Sequence, residues 1–253
     1  MKKTQTELKK ELVSILDGQV KSALEILINN SSVREKFLRV FRTAVFKNPD
    51  LLNAHRESLI NACLKCAEWE MMPDNNEAAL IPFNGIVTAI PMVGGFLRRL
   101  SSDVEFEKIY ADVIYYNDEF TYTIDSDTEH LRHSPVIHTD GGEMVGAYAG
   151  IIYKKNSKEG IQRRKFEIAR KHEVENVLKI NKGRKGHSKA WDFYPEEMIK
   201  KYMIKRMAKR TLCLQVQDEL LANEEFDQRK TSPASVINPA LITRDKNEKE
   251  QVQ

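Results

Sequence analysis

An α+β fold is predicted for this chain, with helices at the amino terminus, a central mainly antiparallel sheet, a long basic C-terminal helix and a disordered tail. Three observations carry the prediction. Apolar residues recur at helical spacing through residues 6–69, short β-branched and aromatic segments separated by turn residues fill the middle, and a charged amphipathic run follows Pro195.

From Thr6 to Ile28, the residues Leu8, Leu12, Ile15, Leu16, Leu24 and Leu27 line one side of a helix, which Gly18 is expected to bend. Ser31-Ser32 opens a second helix with Phe37, Val40, Phe41, Ala44 and Val45 inward. Asn48-Pro49 ends it and starts a third, from Asp50 to about Trp69. Six segments then read as strands: Ala78–Phe83, Val87–Met92, Ile109–Tyr116, Phe120–Ile124, Val145–Tyr153 and Arg164–Ala169. Asn117-Asp118, between two of them, predicts a tight hairpin. A short helix after Gly95 carries Phe96 to Leu100, another spans Lys171 to Ile180, and the long one runs from Pro195 to about Leu221. Pro195 suits its first turn, and Glu196 and Glu197 sit at the positive end of its dipole. From Asn223 onward the polar composition, with Ser232-Pro233 and Asn238-Pro239, predicts the disordered tail.

The chain has 40 Lys+Arg against 37 Asp+Glu, a formal charge of +3, which taken whole argues against a nucleic-acid partner. Counted by segment, it argues the reverse. Residues 103–149 hold eleven acids and two bases, a balance of −9, whereas residues 150–210 hold 19 bases and seven acids, a balance of +12. Like charges gathered in one fold must be offset by something opposite, and phosphate backbones or a neighbouring subunit's acidic face would both serve. No apolar run approaches the ~18 residues of a membrane span, and the amino terminus lacks the apolar core of a secretory signal. Three cysteines make no disulfide framework, so a cytoplasmic location is expected.

The sharpest feature is the run Glu196 to Leu212. Met203, Ile204, Met207, Ala208, Thr211 and Leu214 share one side at 100° per residue, leaving Lys201, Lys205, Arg206, Lys209 and Arg210 on the other, and after Glu197 no acid follows until Asp218. A solvated face is the bland alternative; the single-sign block favours a polyanion-binding one. Ahead of it lies a glycine-hinged basic loop with Lys182, Arg184, Lys185 and Lys189, which reads equally as a phosphate-approaching loop or a plain flexible one. Trp191 beside it either stacks on unpaired bases or fills the core. Cys63 and Cys66, inside a predicted helix, read as core thiols. His130, His133 and His138 among Asp125, Asp127, Glu129 and Asp140 raise a metal-dependent nuclease as an alternative, although their spacing matches no ligand signature and suits solvated loops. No phosphate loop or dinucleotide fingerprint is present.

Across residues 45–215 the order of motifs resembles the RecT family of phage single-strand annealing proteins. Asn48-Pro49 and the helix with Ser58 to Cys63 come first, then Pro73, the strand Ala79 to Phe83 and the glycine-rich segment Ile90 to Phe96. Asn117 to Phe120, Gly146 to Ala149, Trp191, Glu196 to Lys201, and Ile204 to Arg206 with Lys209 complete the pattern. The resemblance implies an N-terminal helical region (1–48), a DNA-binding core (49–221) and a flexible polar tail (222–253). It also implies ATP-independent binding of single-stranded DNA and annealing of complementary strands in homologous recombination, without bond-breaking chemistry, in a bacterial host's cytoplasm. Expected partners are single-stranded DNA and the annealed duplex intermediate, further copies of the chain in a ring or helical filament, and an exonuclease and host single-strand-binding protein through the C-terminal region. No cofactor is required, Mg²⁺ serving at most as a counterion for DNA. The expected DNA-contacting residues are Arg98, Arg99, Lys182, Arg184, Lys185, Lys189, Trp191, Lys200, Lys201, Lys205, Arg206, Lys209 and Arg210. A basic RNA- or DNA-binding module that does not anneal is the remaining alternative.

Overall fold

The computed structural model describes residues 4–125, 128–155, 162–182 and 189–214. Its amino-terminal part is helical: α1 (Gln5–Ile15), α2 (Lys21–Leu27), α3 (Ser31–Lys47), α4 (Pro49–Asn53) and α5 (Arg56–Glu68). Thr4 and Glu7 form a reciprocal capping box on α1, and Asn30 and Asn48 cap α3 and α4. The bend expected at Gly18 is a single π-helical turn, Leu16–Val20, between α1 and α2; it keeps Leu16 and Val20 buried on the same side as Leu12 and Leu24. The helix predicted from Asp50 to Trp69 is two helices, because the chain is extended at Ala54, between α4 and α5. Cys63 and Cys66 lie in the core on α5, where burial raises both thiol pKa values, that of Cys66 to about 12.

The fold is α+β. A hairpin of β1 (Ala78–Phe83) and β2 (Ile86–Pro91) packs on α5, and α6 (Val93–Ser101) follows it. Gly95 at the start of α6 has no room for a side chain: a Cβ there would lie 2.4 Å from the Glu77 carbonyl oxygen and 2.6 Å from Met71 Sδ. The central sheet is antiparallel in the order β3 (Phe106–Tyr115), β6 (Met144–Tyr153), β7 (Arg164–Arg170). Between β3 and β6 the chain makes β4 (Glu119–Asp125) and β5 (Thr128–Ser134), which pair with each other and, among the described residues, with no other strand. After β7 come α7 (Lys171–Lys182), α8 (Ala190–Phe193) and α9 (Pro195–Thr211).

Three expectations are corrected here. Asn117-Asp118 does not join a hairpin of its flanking strands, since β3 pairs with β6 and β4 with β5. The Asp118 carboxylate accepts the Tyr115 N–H at 2.8 Å and turns the chain out of the sheet instead. The stretch holding His130 and His133 is strand β5 rather than solvated loop, and the His133 side chain is 4% exposed. The long helix stops at Thr211 rather than near Leu221; residues 215–221 and the tail assigned to 222–253 lie outside the described residues.

Candidate nucleic-acid interface

The central sheet has two unlike faces, set by alternation along its strands. Ala111 and Val113, Ala147, Ala149 and Ile151, and Glu167 and Ala169 share the face that α9 covers. Small residues there let the helix approach, and Met198, Ile199, Met203, Met207 and Ala208 fill the gap. The opposite face carries Tyr110, Tyr148, Gly150 and Phe166, with the β4–β5 hairpin laid over part of it through Phe120, Tyr122 and His133.

The predicted cationic face of α9 is changed by this packing. The helix touches β3, β6 and β7 on one side and α6, α7 and α8 on others, so its buried arc exceeds half the cylinder. Lys205 falls inside that arc and is 0% exposed, which corrects its expected role as a backbone contact. Arg206 is mostly buried, its Nε 2.7 Å from Glu167 and a terminal nitrogen 2.8 Å from Glu173. Burial disfavours the Arg206 charge, but the two carboxylates outweigh it and raise its pKa. Arg210 also donates to Glu167 while most of its side chain stays exposed. Lys200 lies 3.2 Å from Asp112 and 3.4 Å from Glu197; partial burial opposes its charge, and these acids more than compensate. Lys201 is exposed and Lys209 half-buried.

Away from α9, Lys182 and Lys189 are exposed, and Arg184 and Lys185 lie outside the described residues. Trp191 is 3% exposed in the core, which corrects the base-stacking reading: α8 turns its ring inward against the α7 and α9 layer. Arg98 and Arg99 on α6 are tied to the segment before β1. Arg98 pairs with Glu77 at 2.8 Å and donates to the Glu70 carbonyl, and Arg99 pairs with Glu70 at 3.0 Å and donates to the Trp69 carbonyl. Both therefore brace α6 against α5.

Sequence reasoning missed the end of the sheet where β6 leaves and β7 enters. Lys108, Lys154, Lys155, Arg163, Arg164 and Lys165 are all exposed there, and Lys108 and Arg164 share a face with the half-buried rings of Tyr110 and Phe166. The signal was available in the basic pairs flanking two strands, but only the register shows that Lys108 and Arg164 flank the same residue, Ile152. The three histidines are not gathered: His133 is bound to Asp118 and Tyr148, and among the described residues no group of three His, Cys, Asp or Glu is arranged to hold a metal ion. No helix of the described residues is long and apolar enough to cross a membrane.

The RecT family model matches residues 35–237 of this chain. Protein RecT of Escherichia coli (strain K12) is 24% identical over 234 residues, which cover 88% of this chain and 82% of that protein.

Proposed function

The chain belongs to the RecT family, and from that premise we propose that it binds single-stranded DNA and anneals complementary strands in homologous recombination, without ATP and without breaking a bond. The observation that carries this reading is the family match, which takes in nearly all of the sheet-and-helix core. The arrangement of charge supports it. Annealing brings two polyanions together, so phosphates must be neutralised while the pairing edges of the bases stay open. Exposed lysines and arginines on a rigid frame do this without regard to sequence. Lys201 and Arg210 on α9, Lys182 and Lys189, and Arg98 on α6 are the backbone contacts in this reading, with Arg184 and Lys185, which lie between Lys182 and Lys189 in sequence. Self-assembly into a ring or helical filament would line up many such frames along one strand, and an exonuclease and a single-strand-binding protein are the partners assigned to the C-terminal region. No cofactor is assigned, and Mg²⁺ would act as a counterion of the DNA.

The test is the salt dependence of oligonucleotide binding. For single strands the slope of log K against log salt is about −0.7 per phosphate neutralised. Lys182→Ala and Lys201→Ala are each expected to weaken binding to all sequences alike and to flatten the slope by about 0.7. An unchanged slope would remove that residue from the interface.

A further inference from the structure

The open face of the central sheet carries a second kind of surface, distinct from the cationic groups of α9. In the row Tyr110–Gly150–Phe166 the middle residue has no side chain, and both rings fold over it: a Cβ on Gly150 would lie 2.9 Å from Tyr110 Cζ and 3.0 Å from Phe166 Cε1. The next row outward is Lys108–Ile152–Arg164, with both cations exposed, and Lys108 Nζ reaches to 5.9 Å from the centre of the Tyr110 ring. On the hairpin, Tyr122 stands across Phe166 at 75°, with centroids 6.3 Å apart. Ile124, two residues on and so on the same face of β4, is 65% exposed. The hairpin therefore closes over Tyr148 and, beside Phe166, leaves the Ile124 side chain largely uncovered. Glu129, the acid beside these rings, is already engaged by the Phe166 N–H at 2.7 Å and the Tyr122 hydroxyl at 3.2 Å.

An aromatic floor, an apolar wall and two flanking cations match one ligand chemistry: an unpaired nucleobase with a phosphate on either side. We propose that Tyr110 and Phe166, folded over Gly150, are a stacking floor for a base of the bound strand, with Lys108 and Arg164 on its neighbouring phosphates. The inference rests on the single-strand-binding reading and deepens it. Stacking takes hold of a base by its flat side and leaves its pairing edge free, which is the presentation annealing needs.

The two tryptophans, Trp69 and Trp191, are each 3% exposed, so Phe166→Trp adds a reporter distinguishable from a buried background. Saturating that variant with a thymidine oligonucleotide is expected to quench the new fluorescence. In the unaltered protein, an oligonucleotide of the same length carrying abasic sites is expected to bind about tenfold more weakly, a difference that Tyr110→Leu largely removes and Tyr110→Phe retains. Lys108→Ala and Arg164→Ala, both at exposed positions, are expected to flatten the salt slope. Binding by the unaltered protein with no preference for intact bases, or with Tyr110→Leu leaving the preference intact, overturns the stacking floor alone. Failure of the unaltered protein to bind single strands at all overturns the annealing reading with it.

Discussion

Asp118 ties together three segments distant in sequence. Its carboxylate accepts the N–H groups of Tyr115 and Val136 and a ring N–H of His133, which fixes the imidazole with its other nitrogen hydrogen-bonded to the Tyr148 hydroxyl at 3.2 Å. Burial works against the Asp118 charge, but the two backbone donors and the histidine prevail and hold its pKa below the ordinary value. A carboxyl with a depressed folded pKa contributes stability that is complete above the unfolded value of about 3.9 and is lost as pH falls through the folded one. Asp118→Asn is therefore expected to lower the melting temperature at neutral pH and to leave a flatter stability profile below about pH 4, which thermal denaturation across pH would show. Lys205 is a second residue whose surroundings decide its role. With its stem enclosed in the core, Lys205→Ala is expected to cost about 2 kcal/mol in chemical denaturation, chiefly through lost packing, while the salt slope of DNA binding stays as it was.

At the scale of elements, the end of α9 shows what a sequence pattern conceals. The helix closes with the Leu214 N–H on the Lys209 carbonyl and the Cys213 N–H on the Arg210 carbonyl, a Schellman motif whose left-handed position is Cys213 at φ 51°. A glycine there would have announced the stop; a cysteine does not, so apolar periodicity alone carries the expected helix to Leu221. The same closure ends α5, with Glu70 at φ 55° and its side chain held by Arg99. Cys213→Gly is expected to stabilise the protein by about 1 kcal/mol by relieving the left-handed strain, measurable as a shift in denaturation midpoint. Element existence was legible wherever period and punctuation agreed, as in β1, β2, β6, β7 and α3. Strand β5 was hidden because Thr128 to Ser134 is polar and charged: its outward residues face solvent, and its inward ones are a histidine, a leucine and a glutamate serving hydrogen bonds and packing together. Pairing was less legible still, since nothing in the sequence of Tyr115 to Phe120 says that a side-chain carboxylate, rather than a hairpin, governs the turn.

Over the whole molecule, the charge asymmetry proves partly self-compensating. Arg163 meets Glu105 at 2.6 Å, Lys171 meets Glu143 at 2.7 Å and Lys200 meets Asp112 at 3.2 Å, so the basic segment folds back onto the acidic one. These pairs are mostly exposed and contribute little stability each; their consequence is to sort the remaining cations. The charge of the basic segment was thus readable from sequence, but which of its members turn inward was not: Lys205, Arg206 and Trp191 lie inward because helices enclose α9 on more than one side. What is left exposed, on α9 and at the open end of the sheet, is the surface on which the annealing reading depends. The most direct test mixes two complementary oligonucleotides, one labelled with a donor and one with an acceptor fluorophore, and follows duplex formation with and without the full chain and with no nucleotide triphosphate present. The account predicts faster pairing with the protein present, unchanged by a chelator and without shortening of either strand. Tight binding with no acceleration, or cleavage of the strands, would contradict it.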